Sequence, residues 1–273
     1  MDRRVEQAAA GYALRLSEAE RTRYRMMAQR ARETEAGLWE RAGVVRGATI
    51  ADIGCGPGAT LVMLADVVGE SGSVVGVEPD ADARAAALAE IAERGLTNAR
   101  VVDGDAAATP LEPGAYDVVM IRHVLFHVGQ RAPSLVQHLA TLLRPGGTLY
   151  AADTDATASR ISPADADVLE AMARYRDFQQ ARGSNVDIGP HLGELFVAAG
   201  LEIAERAGIV NIIPAHMHSL GGPLVAAQAE MRAAGAATEA DFERWDAARR
   251  RLASVPNAVM FIPLFIAVGR RPA

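Results

Sequence analysis

The stretch Thr49 to Gly58 reads T-I-A-D-I-G-C-G-P-G, and its two halves differ in physical character. Thr49–Ile53 is a short apolar run with the length and composition of a strand buried on both faces. Gly54, Gly56 and Gly58 follow at alternate positions, and Leu61, Leu64, Ala65 and Val68 then recur at helical spacing. Strand, glycine turn and helix in this order make the first βα turn of a doubly wound sheet. At such a turn the helix N-terminus and bare backbone N–H groups face an approaching ligand. Glycine suits the position because a Cβ would block that approach and because the turn visits positive φ.

Composition narrows the chemistry. A chain of 273 residues, half of them hydrophobic, can build one generous α/β domain with an elaboration. The net charge of −6 speaks against a broad nucleic-acid platform, which carries a basic face. All 28 basic residues are arginine. With no lysine, the chain cannot form an internal Schiff base, hold pyridoxal phosphate covalently or build a Walker-type phosphate loop. One cysteine, Cys55, supports neither a disulfide framework nor a thiolate metal site. The N-terminal M-D-R-R-V-E-Q lacks the apolar core of a signal peptide, and no run of about 18 apolar residues occurs, so a cytoplasmic protein is expected.

Downstream of the glycine turn, Val74–Val77 reads as a second buried strand ending at Glu78-Pro79. An acid there, about 20 residues past the glycines, is placed to accept from vicinal ribose hydroxyls. A helix through Ala85, Leu88, Ala89 and Ile91 stops at Gly95, and Arg100–Val102 makes a third strand before D-G-D-A. Asp117–Ile121 is the fourth strand, followed by Arg122 and His123. Pro133 opens a helix to Leu143, which Arg144-Pro145-Gly146-Gly147 ends, and Thr148–Ala152 is the fifth strand. Upstream, Tyr24, Met27, Ala31, Leu38 and Ala42 step by three, four and seven. They mark an amphipathic helix whose arginines and glutamates, Glu33 and Glu35 among them, read as a mixed-charge solvated face.

The spacing G-x-G-x-G with Asp52 just ahead, five βα units in order from Val44 to Asp153, and the run L-L-R-P-G-G-T-L-Y resemble the class I S-adenosylmethionine (SAM)-dependent methyltransferases. The likeness is to the ubiquinone/menaquinone-biosynthesis ("type 11") kind. A dinucleotide fingerprint would place its third glycine one residue later. The resemblance implies an α/β, Rossmann-like, doubly wound seven-stranded sheet whose last strand is antiparallel. It implies a helical lid over residues 1–43 and a SAM-binding domain over 44–273 with a helical insertion at about 214–255. It assigns the cofactor SAM, with S-adenosyl-L-homocysteine (SAH) as product, to Asp52, Gly54, Cys55, Gly56, Gly58, Glu78, Pro79 and Arg122. Asp105 takes the adenine amino group, beside the N–H of Ala106. Tyr12 and Gln29 are the candidates to reach inward from the lid.

In-line attack on a sulfonium methyl needs a held donor, a placed acceptor and, for some acceptors, a base. Histidine is the natural base near neutrality. His123 has the best position, directly after the fourth strand; His127 and His191 are the other candidates, each with a packing or solvent-facing alternative. His138 reads as structural. No metal is expected, since His216 and His218 would share an ion only on an extended segment. Asp153 and Asp155 read as turn or cap residues. The expected partner is a small-molecule acceptor, with no nucleic acid and no membrane, and a homo-oligomer stays open. Two alternatives stand beside methyl transfer: a SAM-binding protein without turnover, and an NAD(P)-dependent oxidoreductase, which the early third glycine and the missing lysine disfavour.

Overall fold

The computed structural model describes residues 18–215 and 223–273. Helix α1 (Glu18–Arg41) precedes β1 (Thr49–Ile53), α2 (Ala59–Val68), β2 (Ser73–Val77), α3 (Ala81–Glu93) and β3 (Ala99–Val102). Then come β4 (Tyr116–Arg122), α4 (Ala132–Leu142), β5 (Leu143–Thr154), β6 (Arg160–Ser162), α5 (Ala166–Ala181) and α6 (Leu192–Ala198). The chain closes with β7 (Glu202–Pro214), α7 (Pro223–Ala233), α8 (Glu239–Ala253) and β8 (Val259–Arg270).

The sheet runs β3-β2-β1-β4-β5-β8, with β7 on the far side of β8. Strands β1 to β5 are mutually parallel, and β8 is antiparallel to both β5 and β7. This is the expected doubly wound sheet with its last strand reversed. The short β6 adds an eighth strand that the sequence reading lacks; it pairs with Val259–Phe261 of β8. Strand order reverses between β1 and β4, which puts the ligand crevice at the carboxyl ends of those two strands.

Alternation along the strands feeds two cores. Ala51, Ile53, Val119, Ile121 and Leu149 face α4 and α6, whereas Ile50, Val118, Met120, Tyr150 and Ile266 face α1, α2 and α3. A separate apolar cluster joins α5, α7 and α8 through Phe178, Met231, Phe242 and Trp245. The end of α5 is tied to the turn after β4, where the Asn185 N–H donates to the Phe126 carbonyl at 2.7 Å.

One boundary differs from expectation. Helix α4 ends at Leu142, and Arg144–Gly147 lies inside β5, where a bulge separates the Tyr116–Leu143 pair from the Val118–Thr148 pair. Gly147 fits there because a Cβ would sit 2.9 Å from the Tyr116 carbonyl oxygen. The Pro-Gly-Gly run therefore shapes the strand entrance and does not close the helix.

Candidate ligand site at the glycine turn

The turn after β1 is locked to the end of β2. Both Gly54 and Cys55 donate their N–H groups to the Val77 carbonyl, at 2.8 and 3.2 Å. Gly54 and Gly56 have φ of 69° and 54°, a region that costs other residues strain. The glycines do different jobs. A Cβ on Gly54 would lie 2.5 Å from Val124, and one on Gly58 would lie 2.9 Å from the Ala87 backbone, so these two allow close packing. A Cβ on Gly56 would meet nothing nearer than the Tyr24 ring at 3.8 Å, so this residue faces open space below α1. The Cys55 side chain points the other way, into the core against Gly76, and burial pushes its thiol pKa well up. Only the backbone of Cys55 belongs to the turn.

Two buried acids flank this space. Glu78 accepts from the Gly56 N–H at 2.9 Å and from the Asp80 N–H at 3.0 Å; each carboxylate oxygen keeps a lone pair for a further donor. Burial pushes its pKa up, opposed by those two bonds. Asp52 is 3% exposed, and its Oδ2 has no hydrogen-bond partner among the described residues. Burial raises its pKa to about 7, with the Arg122 charge pulling the other way. A buried carboxylate oxygen without a donor is costly unless something supplies one. Pro79 is exposed and offers its carbonyl to Arg84 at 2.7 Å. Asp105 is half-exposed, accepts from the Ala107 N–H at 2.8 Å and pairs with Arg131 at 2.6 Å; Ala106 packs beside it against the core.

Arg122, for which the resemblance implies a cofactor contact, commits its side chain to a partner within the protein. Its buried guanidinium forms a two-pronged ion pair with Glu35 of α1, and Glu35 also accepts from the Tyr150 hydroxyl at 2.6 Å. Glu35 is 1% exposed, so it does not belong to the solvated face that its charged neighbours suggest. The signal was present in the sequence. The seven-residue step from Ala31 to Leu38 skips one inward position, and Glu35 fills it.

His123 follows Arg122 with φ of 56°, an uncommon conformation outside glycine and one that costs about 1–3 kcal/mol. The neighbouring strand holds it there. The His123 N–H donates to the Ala152 carbonyl at 2.9 Å, and the Phe126 N–H donates to the Asp153 carboxylate at 3.1 Å. Asp153 is thus a fully buried anchor for the turn after β4, with its own pKa raised by burial to about 7. Burial, aided by Arg122, Arg23 and His127, lowers the His123 pKa to about 3. His127 is lowered to about 4, chiefly by burial, and its ring packs edge-on against Phe126. Both imidazoles are neutral at pH 7.

Other candidates lie apart. Gln29 is on the exposed face of α1, bonded to Glu33 at 2.8 Å, because its helical phase turns it away from the inward Tyr24, Ala28 and Ala31. His191 is exposed beside Glu194 at 3.2 Å. His138 accepts from the Thr109 N–H and is structural. Tyr12, His216 and His218 lie outside the described residues. A cleft of about 360 Å³ opens at the opposite, amino-terminal edge of the sheet; the arginines lining it include Arg144, paired with Asp117, and Arg270, bonded to the Gly146 carbonyl. Among the described residues no helix is long and apolar enough to cross a membrane.

A family model described as "Methyltransferase domain" matches residues 50–147, from β1 to the entrance of β5. An uncharacterized 37.1 kDa protein in transposon TN4556 of Streptomyces fradiae is 32% identical over 169 residues, covering 61% of this chain and 47% of the relative. Nocamycin O-methyltransferase of Saccharothrix syringae is 38% identical over 105 residues, covering 38% of this chain and 36% of the relative. The chain thus spans less than half the length of these curated relatives. Among solved structures, the cyclase SpnF superposes with a TM-score of 0.57 at 20% identity, covering 90% of this chain and 82% of SpnF.

Proposed function

We propose that this chain is a class I SAM-dependent methyltransferase of the type 11 kind, which holds SAM at the glycine turn and moves the methyl group to a small organic acceptor; the match of residues 50–147 to a methyltransferase domain supports the reading. The observation that carries the reading is the buried Oδ2 of Asp52, which has no partner among the described residues and lies on the strand that leads into the open turn at Gly56. SAM carries an ammonium group, vicinal ribose hydroxyls and an adenine amine. The chain offers an acceptor for each: Asp52 for the cation, Glu78 with spare lone pairs at the end of β2, and Asp105 after β3.

When bound, SAM supplies an electrophilic methyl for direct displacement. The chain's own residues then do the remaining work. The glycine turn lets the donor approach the backbone, and α1 lays Tyr24 above Gly56 as part of a lid. His123 sits at the tip of β4 as an acceptor contact. With its pKa near 3 it accepts a hydrogen bond from an acceptor O–H but takes a full proton poorly, so the proton leaves to water. Rate enhancement here rests on positioning, which can supply several kcal/mol without a base. Oxygen acceptors are the first to test, since nocamycin O-methyltransferase is among the relatives.

The fold alone does not dictate methyl transfer, because SpnF, a cyclase, shares it. Native mass spectrometry with and without SAM, followed by an acceptor panel read as SAH release, tests the proposal. A SAM or SAH mass that disappears in D52N and E78A, together with turnover on one acceptor, is expected. Absence of any SAM or SAH complex overturns it, and a tight complex without turnover on any acceptor leaves a SAM-binding protein in its place.

A further inference from the structure

Two buried carboxylates, Glu35 from α1 and Asp52 from β1, compete for one buried guanidinium. Arg122 gives both prongs to Glu35, which is further fixed by the Tyr150 hydroxyl at 2.6 Å. Asp52 lies on the strand next to Arg122 and on the same face, paired in register with Met120 two residues ahead of it, yet its Oδ2 receives no donor among the described residues. We infer that Glu35 is a positioning residue of the ligand site: by taking the Arg122 guanidinium, it leaves the Asp52 Oδ2 without a donor among the described residues and open to a cationic group of the ligand. The inference rests on the SAM reading above and adds to it a residue that touches no ligand atom.

The electrostatics follow from the arrangement. Glu20, the buried acid of α1 besides Glu35, is already held by Arg23. Without Glu35, the guanidinium would turn its charge on Asp52, a buried acid on the neighbouring strand and the same face of the sheet, whose register partner Met120 is two residues ahead of Arg122. That would satisfy the orphan oxygen and set a cation where the ligand's ammonium must go, so the ligand would have to displace it. With Glu35 in place, the ion pair is closed and Asp52 waits for a donor from outside. The charged groups acting on Asp52 are Arg122 on β4 and Glu78 at the end of β2, with Glu35 acting through Arg122; Cys55, next in the turn, is itself pushed up by Asp52. Glu78 works in the same sense as burial, holding a proton on Asp52 until a cation arrives. Binding of a cationic ligand near pH 6 must therefore expel that proton.

The test is isothermal titration of the full chain with SAM and with SAH at pH 6 and pH 8, each in two buffers of different ionisation enthalpy, which reads proton release directly. For the wild type, close to one proton is expected to leave at pH 6 and only about a tenth of one at pH 8, with affinity rising between them. In E35Q, Arg122 keeps Asp52 ionised, so proton release at pH 6 disappears and affinity falls about tenfold, the factor that one unit of pKa represents. In the double variant E35Q/R122Q no guanidinium remains to capture Asp52, and proton release at pH 6 returns. A structural lesion in α1 would not produce that return. The double variant also avoids an unpaired buried charge, so it carries the test if E35Q fails to fold. Wild-type proton release in E35Q, or none in the double variant, overturns the inference while leaving the SAM reading intact. No binding of either ligand by the wild type overturns both.

Discussion

Gly56 donates its backbone N–H to the Glu78 carboxylate across 2.9 Å, so the glycine turn after β1 and the acid ending β2 are one unit. Shortening Glu78 has two consequences at once. E78A removes an acceptor for ligand hydroxyls and also frees the turn, so SAM affinity should fall by more than a lost hydrogen bond alone, at least about a hundredfold. E78Q keeps an oxygen for one of the two N–H groups and should lose less. Titration calorimetry on both variants checks the order; equal losses would mean that only the charge matters.

The glycines of the turn should separate fold from ligand binding. G54A drives a methyl against Val124 at a left-handed position, and destabilisation of about 3 kcal/mol or more is expected from the sum of strain and overpacking. G56A carries only the strain, about 1–2 kcal/mol, because its methyl enters open space. That same methyl occupies the approach to the backbone, so G56A should stay folded and lose SAM binding. Urea denaturation with a parallel binding assay distinguishes the two.

Asp52 should make the ligand-free protein pay a pH-dependent cost. Its folded pKa of about 7 lies above the unfolded value near 3.9. Between those limits the folded chain holds a proton that the unfolded chain has released, so this stabilising contribution is complete below pH 4 and is lost as pH rises through 7. D52N is neutral throughout. Its melting temperature relative to wild type should therefore rise from pH 5 to pH 8, by at least about 2 °C, while SAM binding is lost. A constant difference across that range would show that Asp52 is ionised at both ends.

His123 and His191 should part company. Asparagine tolerates the left-handed region, so H123N should fold with wild-type stability within about 1 kcal/mol. On the acceptor that turns over, it should raise KM and lower kcat by less than about tenfold, since a positioning contact is lost and no base is removed. A loss of about a hundredfold or more in kcat would instead identify His123 as the base. H191N, on the exposed surface, should leave both constants unchanged.

Much of this was readable in the chain. Strands β1, β2 and β4 are continuous apolar runs buried on both faces, and glycine spacing marks the turn that follows β1, so the sheet and the crevice emerge from period and turn chemistry. The side-chain commitments of Arg122 and Glu35 were not legible, because a charged residue's partner lies 87 positions away and local patterning carries no trace of it beyond one skipped step. The outward setting of Gln29 was hidden for a related reason: which side of α1 faces inward depends on its docking angle. The exposed setting of His191 depends on how the short turn at Gly189–His191 meets β5 and β8, which sequence period does not encode. The strained backbone of His123 was likewise invisible, since it is imposed by Ala152 and Asp153 on another strand.

The helices α5, α7 and α8 pack on one another through Phe178, Met231, Phe242 and Trp245, a set of side chains shared with neither sheet core. That separation makes the molecule tolerant of revision. Substitutions confined to the three helices can reshape whatever they cover without disturbing the contacts that keep β1, β2 and β4 in register. Lineages bearing such a layout can diversify one half while the other stays constant. The sheet is accordingly expected to stay folded in a randomised library restricted to the inward positions of α5, α7 and α8.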